Sequence, residues 1–211
     1  MDRRRFLTGP LGCGALAPWV DLAGSAQARA GGQADRREAA DDEVNARLPT
    51  IGTAPPFALT DQDGRRLALA DMRGKVLALT FIYTVCSDSC PLLTARLATL
   101  QDLLGAAFGP RLRFVSISVL PEYDTPAILR DYARSYRANL RGWSFLTGSA
   151  EGVQAAVRGY GSYAARNRAG QVDHLTLTSL VDKLGRLRVQ YLGTRFRDDE
   201  LLRDLRALLA E

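Results

Sequence analysis

The chain has 211 residues, 46% of them hydrophobic and 24% charged, with 28 Lys and Arg against 23 Asp and Glu and a formal net charge of +5. That is enough chain for one globular domain plus a tail. Residues 31–211 carry 24 basic and 21 acidic side chains, and an excess that mild, with no basic stripe interleaved with aromatics, sets nucleic acid aside as a partner.

The first thirty residues read as an address. Asp2-Arg-Arg-Arg-Phe-Leu7 is a twin-arginine pattern, the apolar stretch Phe6 to Val20 follows, and Ala28-Arg-Ala30 has the form of a small-x-small cleavage site. Pro10 and Pro18 interrupt the apolar stretch, which is short for a bilayer span. The expectation is a cleaved twin-arginine export signal over residues 1–30 and a periplasmic mature protein. The alternative is an N-terminal helix that stays and keeps the protein near a membrane. Residues 31–50, rich in Gly, Asp, Glu and Arg, predict a solvated, flexible linker. Cleavage would remove Cys13 and leave Cys86 and Cys90 as the mature cysteines, in a compartment where disulfides form.

The remainder, 51–211, predicts one folded domain. Phe57 to Thr60 and Leu67 to Leu69 flank Asp61-Gln-Asp-Gly64, the signal of a β-hairpin. Val76-Leu-Ala-Leu-Thr-Phe-Ile-Tyr83 has no polar alternation and the length of a strand covered on both faces. Leu93, Leu97, Leu100 and Leu104 then recur at helical spacing, so Thr84 to Pro91 is a strand-to-helix loop with Cys90 at or beside the helix cap. Arg113 to Val119 is a second buried strand, parallel to the first because a helix separates them. Thr125 caps a helix that starts at Pro126, and Trp143 to Leu146 is a short strand. Ser149 opens a helix with Val153, Val157 and Tyr160 inward. Leu175 to Val181 and Leu187 to Leu192 form a last hairpin, with Arg186, Arg188 and Gln190 on a wet face, and a leucine-faced helix runs from Asp198 to Leu209. This order predicts an α/β, thioredoxin-like fold: a central mixed β-sheet flanked by helices, an N-terminal β-hairpin, and the cysteine loop at the carboxyl end of a central strand.

The cysteine loop carries the chemistry. Residues four apart on a helical turn have Cβ atoms about 5–6 Å apart, so Cys86 and Cys90 can share a metal ion or form a disulfide, and helix N–H groups favour a thiolate there. A purely structural disulfide is the plainer alternative, but closing so short a loop restrains little chain entropy. The chain's single histidine, His174, lies at the start of the predicted strand 175–181, whose edge can neighbour the cysteine loop. Two thiolates and an imidazole suit a copper ion as Cu(I) or Cu(II). A structural zinc site would need a fourth protein ligand. Asp88, between the cysteines, is expected to face solvent, either tuning the docking of a partner or as a plain loop carboxylate.

Phe81-Ile-Tyr-Thr-Val-Cys-Ser-Asp-Ser-Cys-Pro91, the stretch Ser116 to Pro126, Trp143-Ser-Phe-Leu-Thr-Gly148 and Val172-Asp-His174 together resemble the Sco/SenC family, over about residues 51–192. The resemblance implies a thioredoxin-fold copper protein of cytochrome c oxidase assembly. Cys86, Cys90 and His174 would be the copper ligands, and the two cysteines would cycle between dithiol and disulfide. Its implied partner is the copper-binding subunit of cytochrome c oxidase, or another exported copper or thiol client. Five positions depart from the family pattern: Ser87 where Pro is usual, Leu120 where Asp is usual, Ser89 and Ser179 where apolar or aromatic residues are commoner, and Leu175 where Ser or Thr follows the histidine. Two functions stay open from sequence. One is copper delivery to, or reduction of the cysteines of, the dinuclear copper centre; the other is a thiol-disulfide oxidoreductase acting on exported proteins without copper.

Overall fold

The structure is a computed structural model that describes residues 48–167 and 172–211. The export signal expected over residues 1–30 lies outside the described residues, as does most of the expected linker.

The fold is an α/β, thioredoxin-like one. Its strands are β1 (Gly52–Thr53), β2 (Ala58–Asp61), β3 (Arg66–Ala68), β4 (Val76–Ile82), β5 (Leu112–Ser118), β6 (Trp143–Thr147), β7 (Ala164–Arg166), β8 (Val172–His174), β9 (Leu177–Val181) and β10 (Arg186–Leu192). Its α-helices are α1 (Ser89–Leu103), α2 (Pro126–Ser135), α3 (Ala150–Gly159) and α4 (Asp198–Ala210). Eight strands form one sheet in the order β1-β10-β9-β4-β5-β6-β2-β3, in which β4, β5 and β6 are parallel and β9 runs antiparallel to β4.

All seven residues of β4 are buried, and they divide by parity. Val76, Ala78 and Ile82 join a core with Leu93 and Leu97 of α1, Leu129 of α2 and Leu205 of α4. Leu77, Leu79 and Phe81 join a second core with Val153 and Val157 of α3 and Phe57 and Leu59 of the hairpin. Two covered faces leave a strand no position for polar alternation. Truncating any one of these leucines to Ala should cost about 2–5 kcal/mol.

Three expectations need correction. The strand following His174 begins at Leu177, and His174 instead ends β8, which pairs with β7 in a separate two-stranded ribbon. Helix α1 begins two residues before Pro91, so Asp88 is the cap residue and Cys90 sits inside the first turn. Proline is tolerated there because none of the first four helical N–H groups has an intrahelical partner. On β10 the alternation breaks: Arg188, expected on a wet face, has a fully buried side chain. The β9–β10 register shifts between Leu187 and Val189, and Arg188 packs under Glu211 and the backbone of Leu48 and Pro49.

Candidate metal centre

At the carboxyl end of β4 the chain leaves the sheet at Ile82, and its path from there is fixed by a carboxylate. Asp124 has no exposed surface. The backbone N–H of Thr84 donates to its Oδ2 at 3.1 Å and the Thr84 hydroxyl to its Oδ1 at 2.5 Å, while the Ser118 hydroxyl donates to Oδ2 at 2.5 Å. One buried carboxylate thus ties the start of the cysteine loop to the end of β5. The Cys86 N–H then donates to the Tyr83 carbonyl at 3.3 Å, turning the loop toward α1.

The first turn of α1 carries Ser89 and Cys90. The hydroxyls of Ser89 and Thr176 lie 3.0 Å apart, stapling the helix start to the chain just ahead of β9. This gives Ser89, one of the departures from the family pattern, a partner of its own; Ser179 likewise accepts from Gln190 Nε2 at 3.1 Å. From the other side the ribbon delivers His174, with Nε2 3.3 Å from Cys90 Sγ. Its ring stands edge-on to Tyr83, with centroids 5.4 Å apart and planes at 83°. The ring's Nδ1 is buried and has no hydrogen-bond partner among the described residues.

The two sulfurs differ in kind. Cys90 is buried, and burial pushes its thiol well above the usual range. Burial also works against ionising Cys86, but hydrogen bonds from the backbone of Asp88 and Cys90 outweigh it, and the thiol lies below its ordinary value. Burial lowers His174, favouring the neutral imidazole that a metal ion requires. Tyr83 is pushed up to about 12, chiefly by burial.

Tyr83, Cys86 and His174 open on a cleft of about 670 Å³ between the cysteine loop and the ribbon, with Leu120, Tyr123 and Tyr163 on its walls, while Cys90 lies buried behind it. Asp88 and Asp173 are exposed at its rim. Cys90 and His174 touch, and Cys86 and His174 line the cleft. Yet among the described residues no three His, Cys, Asp or Glu side chains stand close enough to enclose a metal ion as they are. The donor set nonetheless fits a soft cation: two sulfurs, one with its thiol held below the ordinary value, and an imidazole.

Sequence reasoning missed Asp124, Tyr83 and the ribbon. The available signal for Asp124 was a pair of hydroxyl residues, Thr84 and Ser118, ending or following two neighbouring apolar strands, since buried hydroxyls at such a place need a common acceptor.

The family model described as SCO1/SenC matches residues 46–210. The SCO1 protein homolog of Bacillus subtilis is 31% identical over 156 residues, which span 72% of this chain and 80% of the relative. The structure of Arabidopsis thaliana ScoI with copper bound superposes with a TM-score of 0.65 at 28% identity, over 75% of this chain and 99% of that one. BsSco, a member of the Sco family of cytochrome c oxidase assembly proteins in which a disulfide switch was identified, gives a TM-score of 0.67 at 28% identity, over 78% and 98%.

Proposed function

The chain belongs to the SCO1/SenC family, and from that premise we propose that it binds one copper ion through Cys86, Cys90 and His174 in the assembly of the dinuclear copper centre of cytochrome c oxidase. It would deliver copper to that centre or reduce the centre's cysteines. The observation that carries this reading is the 3.3 Å approach of the His174 ring to the Cys90 sulfur across 84 positions of sequence. The copper-bound ScoI structure supports copper as the cargo, and the BsSco switch supports a redox-active cysteine pair. A three-coordinate site at the mouth of an open cleft lets a client's ligands attack before the first ones leave. Copper supplies a soft acceptor for the two thiolates; the chain's part is to hold the imidazole against one sulfur and keep the other reachable. The expected export signal would put this cleft in the periplasm, facing the oxidase's copper-binding subunit or another exported client. Among the described residues no helix is long and apolar enough to cross a membrane.

Anaerobic Cu(I) titration against a competing chelator tests the reading. The parent should bind one Cu(I), and His174→Ala should weaken it by more than about 100-fold, because even partners that merely orient a ligand are worth about 10–100-fold. Binding that is absent in the parent, or indifferent to His174→Ala, sinks it.

The asymmetry of the sulfurs favours a second reading, a thiol-disulfide oxidoreductase that works without copper. A partly exposed Cys86, its thiol held below the ordinary value, can attack a client disulfide, and the buried Cys90 can then resolve the mixed disulfide. In that case the parent reduces a client disulfide at the same rate as His174→Ala and binds no Cu(I).

A further inference from the structure

Cys90 and His174 arrive on two separately anchored pieces of chain. The stretch that follows His174 is held by its backbone: the Leu175 N–H donates to the Tyr163 carbonyl at 3.0 Å, the Ser162 hydroxyl donates to the Leu175 carbonyl at 2.9 Å, and the Gly193 N–H donates to the Thr176 carbonyl at 2.8 Å. Cys90 belongs to the first turn of α1, where the cap residue Asp88 makes no side-chain bond to the helix. Beyond the contact of His174 with Cys90 itself, one hydrogen bond among the described residues joins these two pieces: that between the hydroxyls of Ser89 and Thr176, 3.0 Å apart.

The place of that bond decides what it can do. Ser89 directly precedes Cys90, and Thr176 stands two residues after His174, so the bond closes a small ring of chain around the 3.3 Å approach of Nε2 to Sγ. Thr176 is buried and Ser89 half-buried. Little water competes there for either hydroxyl, and a buried hydroxyl needs a partner. The apolar or aromatic side chain commoner at position 89 in the family pattern cannot supply one. A site whose ligands are already held together binds more tightly, because the cost of ordering them is met before the ligand arrives. A neutral hydrogen bond of ordinary net strength is worth about three- to tenfold in such an equilibrium.

We propose that Ser89 and Thr176 are a positioning pair: the hydrogen bond between their hydroxyls holds the stretch that carries His174 against the first turn of α1, and so keeps the imidazole and the Cys90 sulfur together ahead of metal binding. Its effect on metal affinity rests on the reading of Cys90 and His174 as copper ligands; its hold on the two segments does not.

The test compares the parent with Ser89→Ala, the isosteric Thr176→Val, the double variant, and Thr176→Ser, which keeps the hydroxyl. In the reduced, metal-free proteins the alkylation rate of Cys90 is read by peptide mass spectrometry. Either single variant should be alkylated about three- to tenfold faster than the parent. The double variant should be no faster than the singles, because the second substitution has no bond left to remove, and Thr176→Ser should match the parent. In the anaerobic Cu(I) titration the same three variants should lose affinity by about three- to tenfold, again without compounding in the double. Single variants alkylated at the parent's rate overturn the proposal. Losses that multiply in the double variant overturn it too, since the hydroxyls would then act separately, as does a Thr176→Ser as impaired as Thr176→Val. Faster alkylation with Cu(I) affinity unchanged would leave the bond a fastening of the fold and overturn its positioning role. A parent that binds no Cu(I) defeats the copper reading and the effect on affinity together, while the metal-free rates still decide whether the pair holds the two segments.

Discussion

The two ends of β4 gather polar groups in opposite ways. At its amino end, beside Val76 and Leu77, Arg188 is clasped between Asp182 at 3.0 Å and Glu211 at 2.6 Å, and it also donates to the carbonyls of Leu48 and Pro49. Asp182 in turn accepts from the backbone of Leu184 and Arg186 and from the Arg186 side chain. At the carboxyl end, about 20 Å away by strand rise, both cysteines are free thiols and, among the described residues, a buried ring nitrogen of His174 has no hydrogen-bond partner. The contrast separates a cluster whose bonds are all made within the chain, as stability requires, from one with bonding capacity in reserve, as the proposed copper site requires.

The strongest way to break this contrast is to open the clasp. Arg188→Ala leaves two carboxylates facing a buried void, and removing one member of a buried ion pair costs about 3–5 kcal/mol. Urea denaturation of the reduced protein should show that loss, while the Cu(I) affinity and the dithiol potential of the folded variant stay at parent values. Acid should act on the same place. Burial works against the Asp182 carboxylate, but hydrogen bonds from Arg186 and Arg188 outweigh it and hold its pKa below the usual value. The unfolded chain therefore binds this proton more readily. The contribution to stability is complete above the unfolded value of about 3.9 and is lost as pH falls through the folded one. Urea midpoints measured from neutral pH down to about pH 2 should fall less steeply for Asp182→Asn than for the parent.

The two ends were not equally legible in the sequence. Leucine spacing and the unbroken apolar run of β4 announced α1 and the sheet, because both are local periodicities set by burial. Cys86, Cys90 and His174 were named together from the cysteine spacing, the single imidazole and the family resemblance, and the structure sets His174 against Cys90. The clasp was not legible: Arg188 occupies the polar phase of an alternating strand, and only the packing of Glu211 and residues 48–49 over it turns that phase inward. The ribbon that carries His174 escaped notice for a related reason. Its strands, Ala164–Arg166 and Val172–His174, are three residues each, too short to show a period.

Asp124 sharpens the comparison because it is a clasp placed inside the cleft, its hydrogen bonds all directed at the cysteine loop and the end of β5. Asp124→Ala removes an acceptor from Thr84 and Ser118 at once. A hydrogen bond to a charged group is worth about 1.5–3 kcal/mol, and since the loop is exposed enough to relax toward water, a net loss of about 2–3 kcal/mol is expected in urea. Unlike Arg188→Ala, it should also accelerate alkylation of the buried Cys90, because Thr84 no longer anchors the loop that covers it. An unchanged alkylation rate would show that the loop is held from α1 alone.

The smallest effect is the most telling. His174→Ala should change stability by no more than about 1 kcal/mol, since two opposed contributions nearly cancel. The variant gives up an edge-on aromatic pair, worth about 0.5–1.5 kcal/mol, and a single contact with sulfur. It also removes a buried nitrogen that has no hydrogen bond among the described residues, a liability of about 1–3 kcal/mol. A residue retained for stability would not be so dispensable, whereas one held ready for a ligand should be. If His174→Ala instead unfolds the protein as readily as Arg188→Ala does, the histidine is part of a second clasp, and the two ends of β4 are alike.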